Sequence, residues 1–300
     1  MKNFYEKNSL KNPLYSEIDF GMPTLIELNS IKENVELCKE LNLNFIELNM
    51  NMPYCALLGY NEKDDSVKSE LDNFISELKD FQKKYGIYFT IHLDENFNFA
   101  DMNNYVRDAY LKTLKNVIYN ASKIRCPVIN MHLNSGIYFT LPTEKVFLFE
   151  KYNDHYDFCV NEFINFAKKE IESLDFMPLL SIENTNGWKI FEKTSLDKIL
   201  KQDNFSLTFD IGHSEAIGNL DEDFILSHKS KLKHFHIHDG TLPNPTTKYF
   251  GKNHLELGTG KIDLFQRLNL AKETNSRCVI ETKTIESLKN SVSWLNKNFS

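Results

Sequence analysis

The chain's short apolar runs end, almost without exception, on a carboxylate or an imidazole. In chain order the ends are Glu47, His92, His132, Glu183, Asp210, His236 or His238, and Glu281. Six of the nine histidines, His92, His132, His213, His236, His238 and His254, fall at such ends or in the segments just after them. Imidazole and carboxylate together, without thiolate, suit zinc, manganese, iron or cobalt. A single histidine at a strand end is ordinarily a satisfied polar residue or a cap. Glu183, Asp210 and Glu281 are harder to explain that way, because an isolated buried carboxylate is too costly. No cluster of lysine or arginine stands at the neighbouring ends, so a divalent cation is the simplest counter-charge. Glu47 reads equally as a structural carboxylate and is not counted in the site. His155 and His228 fall in helical stretches and read as surface residues.

These residues need a scaffold that gathers distant strand ends. Eight runs of five or six residues lack clean alternation: 17–21 (EIDFG), 44–48 (NFIEL), 87–92 (IYFTIH), 127–132 (PVINMH), 178–183 (PLLSIE), 206–210 (SLTFD), 233–238 (KHFHIH) and 277–281 (RCVIE). Strands buried on both faces read this way. Between them, 29–41, 72–85, 105–124, 263–271 and 285–295 carry apolar residues at spacings of three and four, the stripe of an amphipathic helix. Eight strands alternating with helices predict an α/β fold, a (β/α)8 TIM barrel, whose chemistry sits at the C-terminal strand ends. No G-x-G-x-x-G follows the first strand, which argues against an open dinucleotide-binding sheet. Residues 1–15 are expected to form an N-terminal arm and 16–300 a single barrel domain. Period-two alternation puts His234, His236 and His238 on one strand face. The long segment 239–261 has the glycines and prolines of a functional loop.

Composition bounds the partners. The 300 residues carry 35 Lys plus Arg against 42 Asp plus Glu, a net charge of −7. That balance disfavours nucleic acid without excluding a local basic groove. No long apolar run predicts a membrane span, and the N-terminus lacks the apolar region of a secretory signal. The five cysteines are scattered and form no C-x-x-C, so reduced buried thiols in the cytoplasm are expected. Exposed barrel faces leave room for a homo-oligomer. Phe20, Tyr54, Phe97, Tyr138 and Trp188 are candidates for the wall of a sugar pocket, against the usual place of aromatics in the core.

The motifs SIENTNG (181–187), FDIGH (209–213), HIHDG (236–240), HLELGTGKID (254–263) and VIET (279–282) make the chain resemble the xylose-isomerase-like TIM-barrel superfamily. That group includes sugar isomerases, sugar phosphate isomerases and epimerases, inosose isomerases and dehydratases, and the type IV apurinic endonucleases. The likeness runs from about residue 20 to the C-terminus. It implies one divalent ion, manganese or zinc with cobalt or magnesium as alternatives, on Glu183, Asp210, His236 and Glu281. Glu183 and Glu281 would then be the acid and base of an isomerase, epimerase or lyase. The substrate would be a small sugar, polyol or hydroxy-ketone, converted by proton transfer through a metal-stabilised enediolate. His213 and His254 would hold substrate hydroxyls, and Lys252 a phosphate or carboxylate tail. The alternative is an endonuclease IV-like zinc phosphodiesterase acting on abasic DNA, in which His92 and His132 hold a second metal. A third zinc in that branch uses an Asp-x-His pair. Here Lys252 stands in the Asp position, and an ammonium repels a cation and has no lone pair to give.

Overall fold

A computed structural model describes residues 17–61, 66–246 and 250–298. The expected arm, 1–15, lies outside the described residues. Eight parallel strands close into a barrel: β1 (Phe20–Pro23), β2 (Phe45–Asn49), β3 (Tyr88–His92), β4 (Val128–His132), β7 (Leu179–Glu183), β8 (Phe205–Asp210), β9 (Leu232–Ile237) and β10 (Arg277–Ile280). An antiparallel hairpin, β5 (Tyr138–Thr140) with β6 (Lys145–Phe147), fills the connection after β4. Around the ring the barrel strands run β1, β10, β9, β8, β7, β4, β3, β2. The helices are α1 (Ile31–Glu40), α2 (Lys68–Tyr85), α3 (Asn104–Lys123), α4 (Leu148–Lys151), α5 (Asn153–Glu172), α6 (Ile190–Ile199), α7 (Ile211–Ala216), α8 (Glu222–Ser227), α9 (Leu264–Glu273) and α10 (Ile285–Asn298). The (β/α)8 expectation holds. No described helix is long and apolar enough to cross a membrane.

Local chemistry explains the boundaries. Ser30 caps α1 by accepting from the Glu33 amide, and Asp263 caps α9 by accepting from the Gln266 amide. Gly86 ends α2 in the left-handed region. The first strand begins later than the 17–21 run suggested. Its register is set by Gly21 opposite Phe45 and by the Phe20 amide donating to Asn44 Oδ1. A Cβ at residue 21 would sit 2.5 Å from the Phe45 ring, so only glycine lets that ring fill the barrel. Helices α5 and α6 lie outside the stretches whose apolar spacing predicted helices.

The barrel interior is layered. Phe45, stacked on Tyr88 at 4.9 Å, forms a small apolar cluster with Val279. Another set of interior residues is polar: Glu47, Thr90, Asn130, Ser181, Thr208 and His234, each at most 2% exposed. A TIM barrel ordinarily packs its interior with branched aliphatics. Buried polar side chains at this density need partners: Thr90 donates to Glu47, Thr208 lies against Asn130 and Ser181, and Asn130 donates to Glu183 at the end of β7, while His234 Nδ1 has no partner among the described residues. All five cysteines are buried and free, and three of the aromatics considered as pocket walls, Phe20, Phe97 and Trp188, are in the hydrophobic core. Tyr138 is exposed on the hairpin, and the Tyr54 hydroxyl accepts from Asn34 Nδ2.

Candidate metal centre

Glu183 ends β7, Asp210 ends β8, His236 is the penultimate residue of β9, and Glu281 follows β10 by one residue. Four neighbouring strands therefore deliver them to one place. One donor atom from each lies within 4.8 Å of every other. His236 Nδ1 is at the centre, 2.9 Å from Glu281 Oε2, 3.3 Å from Glu183 Oε2 and 3.8 Å from Asp210 Oδ2. Among the described residues, both ring nitrogens of buried His236, Glu281 Oε2 and His213 Nδ1 have no hydrogen-bond partner of acceptable geometry. Orphaned buried donors and acceptors that converge are what a cation would satisfy. Three carboxylates and an imidazole, with no thiolate, fit a divalent ion of the manganese or zinc kind.

Burial alone would raise these carboxyls. The facing imidazoles overcome it: His236 and His132 hold Glu183 well below the usual range, and His236 with Lys283 does so for Glu281. His213 and His238 lower Asp210 in the same way. Burial pulls His213 down, but Asp210 and Glu183 lift it to about 9.

Supporting groups orient two of the four candidate residues, Glu183 and Asp210. Asn130 Nδ2 donates to Glu183 Oε2 at 2.5 Å, and Thr208 Oγ1 donates to Asn130 Oδ1 at 2.7 Å. That second bond fixes which way the amide points. Asn184 pairs with the Asp210 backbone in both directions at 2.9 Å. The Asp210 side chain also caps α7, accepting from the His213 amide at 2.6 Å.

His92 and His132 face the same oxygen, with their Nε2 atoms 3.4 and 3.5 Å from Glu183 Oε2. His92 Nδ1–H donates to the Leu93 carbonyl, which leaves Nε2 toward the site. Burial lowers His92, and Glu183 beside it lifts it to about 9.

His213, His238 and His254 form a further close group. His238 is fully used within it: its Nε2 lies 3.0 Å from Asp210 Oδ1, and its Nδ1 accepts from the His254 amide at 2.7 Å. It has no lone pair left for an ion. His254 Nδ1–H donates to the Glu281 carbonyl at 3.0 Å, and burial lowers this residue to about 4. Lys252 is exposed, and its backbone pairs with Thr241. Lys283 Nζ sits 2.7 Å from Glu281 Oε1. His155 and His228 are half-buried, near Cys159 and Asp197, and join none of these groups.

Sequence reasoning left out Glu47, Asn130 and Asn184. Glu47 is 2% exposed and sits beneath the cluster, against His234 and His236. The sequence sets Glu47 at a strand end, but it is the third of the five residues of β2, which is why it lies deeper in the barrel than the cluster. Asn130 and Asn184 looked like ordinary polar residues.

A family model described as a xylose isomerase-like TIM barrel matches residues 35–298. No curated protein matches the chain in sequence. Among solved structures, a D-tagatose 3-epimerase-like protein superposes with a TM-score of 0.67 at 22% identity, covering 93% of this chain and 96% of that one. The IOLI protein with a bound zinc atom superposes at 0.63 and 16% identity, covering 94% and 100%. Endonuclease IV from Thermus thermophilus superposes at 0.62 and 14% identity, covering 93% and 99%. At these identities the likeness is one of fold.

Proposed function

The chain belongs to the xylose isomerase-like TIM barrel family, and from that premise we propose that it is a divalent-metal-dependent isomerase, epimerase or lyase of a small sugar, polyol or hydroxy-ketone. The observation that carries this reading is the meeting of Glu183 and Glu281, from strands three apart in the ring, around one imidazole nitrogen of His236. Glu183, Asp210, His236 and Glu281 would hold the ion. Bound there, it would polarise a substrate carbonyl and make the neighbouring C–H acidic.

The residues supply the rest. Both glutamates are held ionised by their histidine neighbours, so either can take a proton from carbon. Because they approach from different strands, one can remove the proton at one face and the other return it at the opposite face. That is the requirement for epimerisation. Asn130 fixes the Glu183 carboxylate so that little reorganisation is needed when the proton moves. His254, neutral and with its Nδ1–H given to a carbonyl, offers Nε2 as an acceptor for a hydroxyl. His213, carrying a proton, offers a donor. Lys252 is proposed for an anionic tail. Five buried thiols support a reducing, cytoplasmic setting.

The test is solvent deuterium exchange into a panel of ketoses and polyol-derived ketones by the manganese-loaded protein. Exchange at a carbon next to the carbonyl, abolished in Glu183→Gln and Glu281→Gln, is the expected result. No exchange into any member of a broad panel overturns the reading.

A second reading is an endonuclease IV-like phosphodiesterase. It is favoured by His92 and His132 facing Glu183 Oε2 together, as ligands of a second zinc would. Lys252 in the place of an acidic ligand and the full engagement of His238 both weigh against a third ion there. Cleavage of an abasic-site duplex by the zinc-loaded protein would establish this reading in place of the first.

A further inference from the structure

Beneath the cluster a second acid enters the barrel interior from β2, on the opposite side of the ring from β8. Glu47 is 2% exposed, and the two histidines facing it, His234 and His236, are fully buried. Its two oxygens are divided between them. Oε2 lies 2.8 Å from His234 Nε2 and accepts from Thr90 Oγ1 at 3.3 Å. Oε1 lies 2.9 Å from His236 Nε2, an ion-pair contact that falls short of hydrogen-bond geometry. His236 thus stands between carboxylates: Glu47 at Nε2, and Glu183, Asp210 and Glu281 around Nδ1.

We infer that Glu47 is a positioning residue for the metal centre, holding the His236 ring so that Nδ1 faces the ligand cage with its lone pair. This role rests on the metal reading above and falls to a residue outside the ligand set.

A metal-bound imidazole must present a lone pair at one nitrogen, and its proton then sits on the other. A carboxylate at that other nitrogen fixes both ring orientation and proton position, and makes the imidazole a stronger donor. If Glu47 served only to satisfy His234, one neutral acceptor oxygen would do, and an uncharged side chain would avoid burying a full negative charge. Instead the second oxygen is committed to the ring that carries the central nitrogen of the cluster. His234 and His236 lie two residues apart on one strand and so share a face, which lets one carboxylate span both.

The test uses the full chain, stripped of metal and titrated with cobalt(II), reading both the dissociation constant and the visible absorption band. Thermal melting of each metal-free variant is measured alongside. Glu47→Gln is expected to bind cobalt about 10- to 100-fold more weakly than wild type, with an altered band. His234→Gln removes the other buried contact of Glu47 and should leave the affinity close to wild type, even if it melts earlier. Unchanged affinity and band in Glu47→Gln overturn the inference. So does an equal loss of affinity in His234→Gln, because the effect would then come from packing. Should Glu47→Gln fail to fold, Glu47→Asp keeps the charge and withdraws it from His236. It is expected to weaken cobalt binding in the same direction, and an unchanged affinity there overturns the inference equally. A wild type that binds no cobalt would sink the metal reading and this inference together. Tight wild-type binding with an indifferent Glu47→Gln would sink this inference alone.

Discussion

His238 holds Asp210 from behind: its Nε2 is 3.0 Å from Asp210 Oδ1, while its Nδ1 accepts the His254 amide. One side chain therefore links the end of β8 to the loop that carries His254. The close approach of α7 makes this possible. A Cβ at Gly212 would lie 1.9 Å from His238 Cε1, so the ring occupies the space that any other residue would need.

Gly212→Ala should displace His238 and release Asp210. We expect a stability loss of about 1–3 kcal/mol from overpacking, and a fall in metal affinity that exceeds what the stability loss explains. Denaturant unfolding of the metal-free protein, set beside a metal titration, checks both. Metal binding at wild-type strength would show that Asp210 does not need His238.

Asp239 pins the loop after β9. Its carboxylate accepts from the amides of Gly240, Gly258 and Ile262 at 2.8, 3.0 and 3.2 Å. Asp239→Ala strands three backbone donors, so a loss of about 1–3 kcal/mol is expected. Because His254 sits in that loop, KM should rise more than kcat falls once a substrate is known. An effect on kcat alone would place the loop's role elsewhere.

The Tyr156 hydroxyl is buried with no partner among the described residues, inside a cluster that includes Phe149 and Phe191. Removing an unsatisfied polar atom while keeping the ring should be neutral or stabilising, by up to about 1 kcal/mol. Tyr156→Phe with an unchanged or higher melting temperature is the expected outcome. A clear drop would mean that the hydroxyl has a partner.

Burial pushes the Cys38 and Cys126 thiols up from 9.0 to about 12. Above the ordinary thiol value the unfolded chain releases these protons and the native chain keeps them. The native state then binds more protons, so stability falls as pH rises from that value toward about 12. Each thiol contributes about 1.4 kcal/mol per pH unit in that window. Denaturant midpoints should drop between pH 9 and pH 11, and a disulfide-exchange reagent should find no thiol in the native protein at pH 8. Rapid labelling of the native protein would contradict the burial.

Most of the architecture could be read from the chain, because a strand buried on both faces and ending on a charge has few other uses. The runs ending at Glu183, Asp210 and Glu281 needed a shared destination, and ring closure is the simplest one. The first strand was misplaced because its start is decided by the Phe45 ring against Gly21, a packing choice made by another strand. Glu47 escaped notice for a related reason. A lone glutamate after two apolar residues looks like any other, and its meaning appears only when β2 and β9 bring it against His234 and His236, 187 residues from the former. The role of His238 was hidden as well. Alternation placed it beside His236, but its commitment to Asp210 and to the His254 amide depends on a loop fold that local pattern does not encode.

The central claim is that Glu183, Asp210, His236 and Glu281 grip one divalent ion. Equilibrium dialysis of the stripped protein against manganese or zinc, run beside Asp210→Asn, tests it most directly. The account predicts tight binding by the wild type at this centre and a loss of at least about 10-fold when the Asp210 charge is removed. Retention of no ion by the wild type, or identical retention by Asp210→Asn, would contradict it.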